Sequence, residues 1–472
     1  MTIKPLFHAL LFVCLAPSAG AVDLIEVYHQ ALENDTQFKM AYSTFMSNTE
    51  MLPQARAALL PQLTAKAQSS ANQQNVTAGA FSIKDAYRSH QWQLLASQTI
   101  FNYQAWSKVL QAKASVKAAH ATFNDAAQEL IMRTCTAYLN VLYAQDSLKF
   151  SEAKKRANKR QLDQATQRYN VGLEPITSVY NAQSAYDQST ADVIKATNDV
   201  VTKSEELRKL TNHVYDHLAP LRNKYVPLIS PEPNDIEDWV SASLKQNYKL
   251  LSARFNLQAA RENIKAMSAG NYPVFSLQGG STQTHNSTSG NITSSPSQDK
   301  GPLSKNVNSF FVPAAQQLSN IAVTVNFPVF QGGLVQSQTR QAQYDFQTSS
   351  DQMEMIHRSL LVDTRVTYNS ILSQISKIKA DRQTLMSQEN TVQSTETQFL
   401  VGTRTMVDVV NAQQHLFEAQ LQLSNDQYNY MNTILQLKYL SGSLNVDDLS
   451  ELNAWLATPQ LDQVKPHPKN VS

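Results

Sequence analysis

The stretch FLVGTRTMVDVVNAQQ at residues 399–414 has a near copy, YNVGLEPITSVYNAQS, at residues 169–184. In each, Val-Gly and a few polar residues separate two long helical runs, a pattern that suits a tight helix reversal. The correspondence extends outward from these turns. Val171-Gly172 matches Val401-Gly402, Asn181-Ala182-Gln183 matches Asn411-Ala412-Gln413, and Leu210-Thr211 matches Leu440-Ser441, all at an offset of 230. Ile100-Phe101 matches Val329-Phe330 at 229, and Pro61 and Leu32 match Pro273 and Leu244 at 212. The offset changes because the polar segment 281–309 is longer than its counterpart SSANQQNVTAGAF. A unit of about 200 residues has been duplicated, far longer than a solenoid repeat. The chain therefore divides into a first repeat (22–212), a Pro-rich connector (213–234), a second repeat (235–442) and a C-terminal segment with a polar tail (443–472).

Residues 1–21 stand apart. Lys4, the apolar run LFHALLFVCLAPSA and Ala19-Gly20-Ala21 form a secretory signal peptide with a small-residue cleavage site. Cys14 lies inside it, so the mature chain keeps only Cys135 and no intrachain disulfide, and a lone mid-helix thiol reads as a small core residue. The sequence is 42% hydrophobic with only 12 glycines in 472 residues, which favours long helices. A formal charge of +2 speaks against a nucleic-acid surface.

Within each repeat the hydrophobic period changes. From 104 to 169, Val109, Val116, Phe123, Leu130, Ala137 and Ala144 recur every seven residues beside Ala112, Ala119 and Ala126, as in a coiled-coil seam with close helix approach. Such a helix would be on the order of 100 Å long. Shorter helices over 178–211 and 23–58 would stack end to end against it, and 334–398, 408–441 and 235–269 repeat the plan.

Strands are expected at about 60–75, 90–103, 272–282 and 319–331, where the period drops to two. Leu63, Ala65 and Ala67 alternate with Gln62, Thr64, Lys66 and Gln68; Trp92, Leu94, Ala96 and Ile100 share a face. Phe275 and Leu277 fall together, and Ile321, Val323, Val325, Phe327 and Val329 oppose Ala322, Thr324, Asn326 and Pro328. One apolar and one Gln/Thr/Ser/Asn face suits a membrane β-barrel with a wet lumen. Four strands cannot close such a barrel, and lipid does not tolerate open edges, so the chain must assemble with copies of itself. Three copies would supply twelve strands.

The second repeat carries FPVFQGGLVQSQTRQAQYDF, HRSLLVDTRVTYNSI and LVGTRTMVDVVNAQ followed by LFEAQ; the first carries LLPQLTAK, SQTIFNYQAW and YNVGL. Taken together, over about 23–452, these resemble the TolC-type outer-membrane efflux proteins. The resemblance implies a mixed α/β membrane protein: a homotrimer with a 12-stranded β-barrel, four strands per chain, in outer-membrane lipid, continued by a long α-helical periplasmic barrel. It implies an exit duct for efflux or type I secretion, docked to a periplasmic adaptor and an inner-membrane translocase. Carried over by position, Arg404 and Thr177 restrain the closed periplasmic end, and Asp408 rings the aperture. The turns Val171, Gly172, Leu173, Val401, Gly402 and Thr403 are candidate adaptor contacts. Three positions depart from the family pattern: Phe399 replaces Tyr, Ser178 replaces Asp, and Asn411 replaces a second aperture Asp. A Tyr–Asp tie is thereby lost and one carboxylate ring becomes amides.

Enzymatic readings find little support, since HExxH, P-loop, GxSxG and CxxC motifs are all missing and no cofactor or metal is implied. His213 and His217 are spaced i, i+4 but lack a third ligand. The remaining rival is a trimeric coiled-coil scaffold or adhesin without a lumen, against which the wide Ala- and Ser-rich helix faces speak.

Overall fold

The computed structural model describes residues 21–78, 81–288 and 315–456. Residues 1–20 of the expected signal peptide, 457–472 of the C-terminal segment and 289–314 of the long polar segment lie outside the described residues. Helices α1 (Leu24–Asn34), α2 (Thr36–Thr49) and α3 (Met51–Ala57) precede strands β1 (Gln62–Ala78) and β2 (Phe81–Phe101). Helix α4 (Tyr103–Asn170) and α5 (Ile176–Thr211) complete the first repeat. The second runs through α6 (Ile236–Gln246), α7 (Tyr248–Ser268), β3 (Val274–Thr288), β4 (Ala315–Asn326), α8 (Leu334–Leu400) and α9 (Met406–Leu440). A short α10 (Val446–Asn453) follows.

Several expectations are corrected. The single helix expected over 23–58 breaks at Asp35, whose carboxylate accepts from the Phe38 amide at 2.6 Å and starts a new helix. The Arg133 guanidinium holds the same carboxylate through both oxygens, at 3.0 and 3.1 Å. The helix expected over 235–269 breaks at the matching position, Asn247, whose Oδ1 accepts from the Leu250 amide at 3.0 Å. The duplicated break is a built feature. Residues 327–331, expected as strand, leave the sheet after Asn326, where Pro328 has no amide to donate. Helix α5 stops at Thr211, with Asn212 in a left-handed cap at φ 57°, so His213 and His217 lie beyond it and share no helix face. Helix α10, with its Asn445–Asp448 capping box, was not anticipated.

Among the described residues the contacts fall into two compact units: 21–44, 121–251 and 355–456, and 45–78, 81–120, 252–288 and 315–354. The first has a core of Leu24, Leu130, Cys135, Tyr138, Leu142, Ile371, Ile378, Tyr430 and Met431, all buried. Cys135 is the small core residue expected, its thiol pushed up to about 12 by burial. Of the expected seven-residue seam, Leu130 and Ala144 are buried and Val109, Val116, Phe123 and Ala137 half-buried.

The second unit holds one antiparallel sheet in the order β1-β2-β3-β4. Its register aligns the alternation across all four strands. Leu63 faces Ala96, which faces Gly279, which faces Ile321. Ala67 faces Trp92, Leu277 faces Val323 and Phe275 faces Val325. Directly opposed residues share a face of the sheet, so one face collects most of the large apolar side chains together with Gln98, while Leu95 and Leu318 fall on the other. A register shift between Thr99 and Phe101 corrects one assignment. It puts Phe101 rather than Ile100 opposite Phe275, with ring centres 6.1 Å apart. The first three strands are also longer than expected, 17, 21 and 15 residues, while β4 has 12 and begins and ends earlier in the chain.

Candidate functional site

The two helix turns of the opening comparison lie in the first unit and are built alike. Helix α4 closes with the Leu173 amide on the Arg168 carbonyl (2.8 Å) and the Gly172 amide on that of Tyr169 (2.9 Å). Helix α8 closes with Thr403 on Gln398 and Gly402 on Phe399, both 3.0 Å. This paired closure needs a left-handed residue, which Gly172 supplies at φ 77° and Gly402 at φ 83°. Around each glycine the chain is bare: Val171, Leu173 and Val401 are each about two-thirds exposed.

The restarting helices differ. Helix α9 begins with a capping box: the Asp408 amide donates to Thr405 Oγ1, and Asp408 Oδ2 accepts from the Thr405 amide (2.9 Å) and hydroxyl (2.8 Å). Those bonds, helped by the nearby Arg404 charge, hold the Asp408 carboxyl below the usual carboxylate range. Arg404 donates to Gln398 Oε1 at 3.2 Å and stands 3.9 Å from Asp408 Oδ1. Helix α5 starts after Pro175 with no side-chain cap, and the Ser178 hydroxyl donates instead to Glu174 Oε2 at 2.7 Å.

The fold thus brings Arg404 and Asp408 onto one turn of one chain. Among the described residues no bond joins Arg404 to Thr177, which is exposed within the single chain. Asn411 is exposed three residues beyond Asp408, on the adjacent turn of α9.

Phe399 is no loose end of a missing tie. It is buried with Leu162, Ala165, Ala182, Met406 and Val409 in a small core that joins α4 and α5 to α8 and α9. The Arg168 guanidinium lies 5.1 Å from its ring centre, and Arg168 Nε stands 3.5 Å from Glu174 Oε1. A chain from Ser178 through Glu174 and Arg168 to Phe399 therefore crosses between the hairpins. Sequence reasoning missed Arg168 and Glu174. Their one visible signal is the charged pair bracketing YNVGL.

The model of the outer membrane efflux protein family matches residues 27–213 and 239–443, one match per repeat. Outer membrane protein TolC of Escherichia coli is 33% identical over 455 residues, 96% of this chain and 88% of that protein. The alkaline protease secretion protein AprF of Pseudomonas aeruginosa is 27% identical over 452 residues, 94% of this chain and 89% of its own. Among solved structures, the CmeC outer membrane channel of Campylobacter jejuni superposes with a TM-score of 0.73 at 14% identity, covering 97% of this chain and 98% of that one. VceC of Vibrio cholerae gives 0.72 at 18% identity, covering 89% and 96%. With the fold, both repeats and the turns in agreement, the chain belongs to the outer membrane efflux protein family, as a TolC-type member.

Proposed function

We propose that three copies of this chain form the outer-membrane duct of an efflux or type I secretion system. Four strands per chain give a 12-stranded barrel in lipid, and the helical hairpins form a periplasmic tunnel closed at its far end. The observation that carries this reading is the sheet itself. It runs linearly from β1 to β4, leaving an open edge at each end. Open edges are not tolerated in lipid, and barrels of one chain begin at eight strands. Closure with two further copies satisfies both limits.

On this reading the turns at Gly172 and Gly402 are the periplasmic ends of the hairpins. Asp408 and, as an amide ring, Asn411 line the aperture. Arg404 reaches the Thr177 region of the neighbouring chain, while Ser178 and Phe399 tie the hairpins within a chain. The bare apolar side chains of Val171, Leu173 and Val401 suit docking of a periplasmic adaptor that links the duct to an inner-membrane translocase. TolC and AprF are named for outer-membrane and secretion roles, which supports a conduit over a solid scaffold. Native mass spectrometry of the mature chain in mild detergent tests the assembly. A trimer is expected; a well-behaved monomer without detergent contradicts the barrel.

A further inference from the structure

The antiparallel register sets His90 of β2 directly opposite His285 of β3. Opposed residues project from the same face, with Cβ atoms about 4.5–5.5 Å apart. Both side chains are exposed, and both line one open cleft of about 680 Å³ with Ser69, Trp92 and Gln283. From that spacing each imidazole can bring one nitrogen to a common point, as a metal ion requires at about 2.0–2.1 Å. The flanking pairs on the same face are Trp92–Gln283 and Arg88–Ser287. Neither supplies a carboxylate that would bind the rings as ordinary ion-pair partners.

The duplicated strands show that the fold does not ask for these histidines. At the offsets of 229 and 212 that align the repeats, His90 corresponds to Ser319 and His285 to Gln73. Ser319 lies in β4 and Gln73 in β1, so the same sheet is built there without an imidazole.

We propose that His90 and His285 form a bis-imidazole site for a divalent transition metal, with Cu²⁺ held most tightly. Such an ion would clip the last strand of the first repeat to the first strand of the second. The proposal goes beyond the duct reading and stands whether or not the chain conducts. Imidazole nitrogens suit Cu²⁺, Ni²⁺ and Zn²⁺, and Cu²⁺ heads the affinity order of the divalent ions. Mg²⁺ and Ca²⁺ prefer oxygen ligands. Among the described residues no cluster of three or more His, Cys, Asp and Glu is present, so water or neutral oxygens would complete the coordination. Ser69, opposite His90, and Gln283 carry the nearest such oxygens on this face. A neighbouring copy does not cover the pair by extending the sheet: β2 and β3 are its two inner strands, and a further strand joins at β1 or β4. A phosphate would find one permanent cation, Arg88, set one rung away opposite Ser287. The directly opposed rings favour a metal.

The test uses the full mature chain, untagged, in detergent after treatment with EDTA, titrated with CuCl₂ alone. NiCl₂, ZnCl₂ and MgCl₂ serve as comparisons. One Cu²⁺ per chain is expected, with two imidazole nitrogens in its electron paramagnetic resonance spectrum. Ni²⁺ and Zn²⁺ should bind at least tenfold more weakly, and Mg²⁺ not at all. Trp92, about 7 Å along the strand from His90 on the same face, should be quenched as copper binds. W92F should keep the affinity and lose that quenching. H90Q and H285Q should each weaken copper binding at least tenfold, and H213Q/H217Q should leave it unchanged. Affinity within threefold of wild type in either single variant, or loss on H213Q/H217Q instead, overturns the proposal. So does a spectrum with a single imidazole nitrogen, or a wild-type protein that binds no copper. Pyrophosphate bound in place of copper and lost on R88Q would make this an anion site and overturn the metal.

Discussion

The guanidinium of Arg168 lies 5.1 Å from the ring centre of Phe399, 231 positions away in the chain, and is anchored on its other side by Glu174 at 3.5 Å. Arg168 closes α4 and Phe399 closes α8, so this stacked pair joins the ends of the two hairpins. Phe399 is buried, and its ring has no hydroxyl with which to bond across the hairpins.

Phe399→Ala should therefore cost about 3 kcal/mol through the cavity it leaves, and Arg168→Gln about 0.5–1 kcal/mol through loss of the cation–π contact. Hydrogen exchange at 395–410 measures both. The alanine variant should lose most protection there while the strands are unaffected. Equal protection in all three proteins would mean the hairpin ends are held by other contacts.

Asp408 makes a pH prediction with a defined sign. Its folded-state pKa is lowered by the Thr405 bonds, so its contribution is present above the ordinary carboxylate pKa and is lost as pH falls through the lowered value. The start of α9 should stay protected through pH 4 to 5 and fray only in stronger acid. Thr405→Ala should remove about 1 kcal/mol of capping and move fraying to higher pH, seen by amide exchange at 405–409.

A second carboxylate runs the other way. Burial, and then the Asp426 carboxylate beside it, raise Asp381 to about 6. Asp426 itself is held charged, bonded by Lys377 at 2.9 Å and Gln422 at 2.8 Å. A raised folded-state pKa gives stability that is complete below the unfolded value and lost as pH rises through about 6. The α8–α9 packing at this level should loosen between pH 5 and 7, and Asp381→Asn should flatten that dependence. Tyrosine fluorescence or exchange at 422–430 over this range would show it. A wild-type profile as flat as that of the variant contradicts the pairing.

The sheet register puts Val323 opposite Leu277 and Val325 opposite Phe275, the face assigned to lipid. Arg at either valine should cost about 2–4 kcal/mol if it lies near mid-bilayer, and Thr324→Arg, on the other face, much less. Yield of heat-resistant trimer in membranes ranks the three; equal yields would put the lumen on the valine side.

What could be read from the sequence was local. The glycines at 172 and 402 and the two-residue alternation announce themselves within a few positions, because a left-handed turn and a two-faced strand are short-range demands. The breaks at Asp35 and Asn247 were hidden because the helical period continues through them, and only a tertiary partner fixes the cap, Arg133 for Asp35 and the Leu440 carbonyl for Asn247. The Arg168–Phe399 contact was invisible because nothing in either neighbourhood specifies the other. The bulge before Phe101 escaped notice since alternation alone does not fix register.

The most direct test of the central claim is single-channel conductance in a planar bilayer, with a multivalent cation added on the hairpin side. Three proteins suffice: wild type, Arg404→Ser, and Asp408→Asn, which removes the aperture charge while keeping a capping side chain. The account predicts stepwise channels of low conductance for wild type, blocked by the cation, higher conductance for Arg404→Ser, and weakened block for Asp408→Asn. Well-formed trimers that do not conduct would contradict the duct, and undiminished block in Asp408→Asn would remove Asp408 from the aperture.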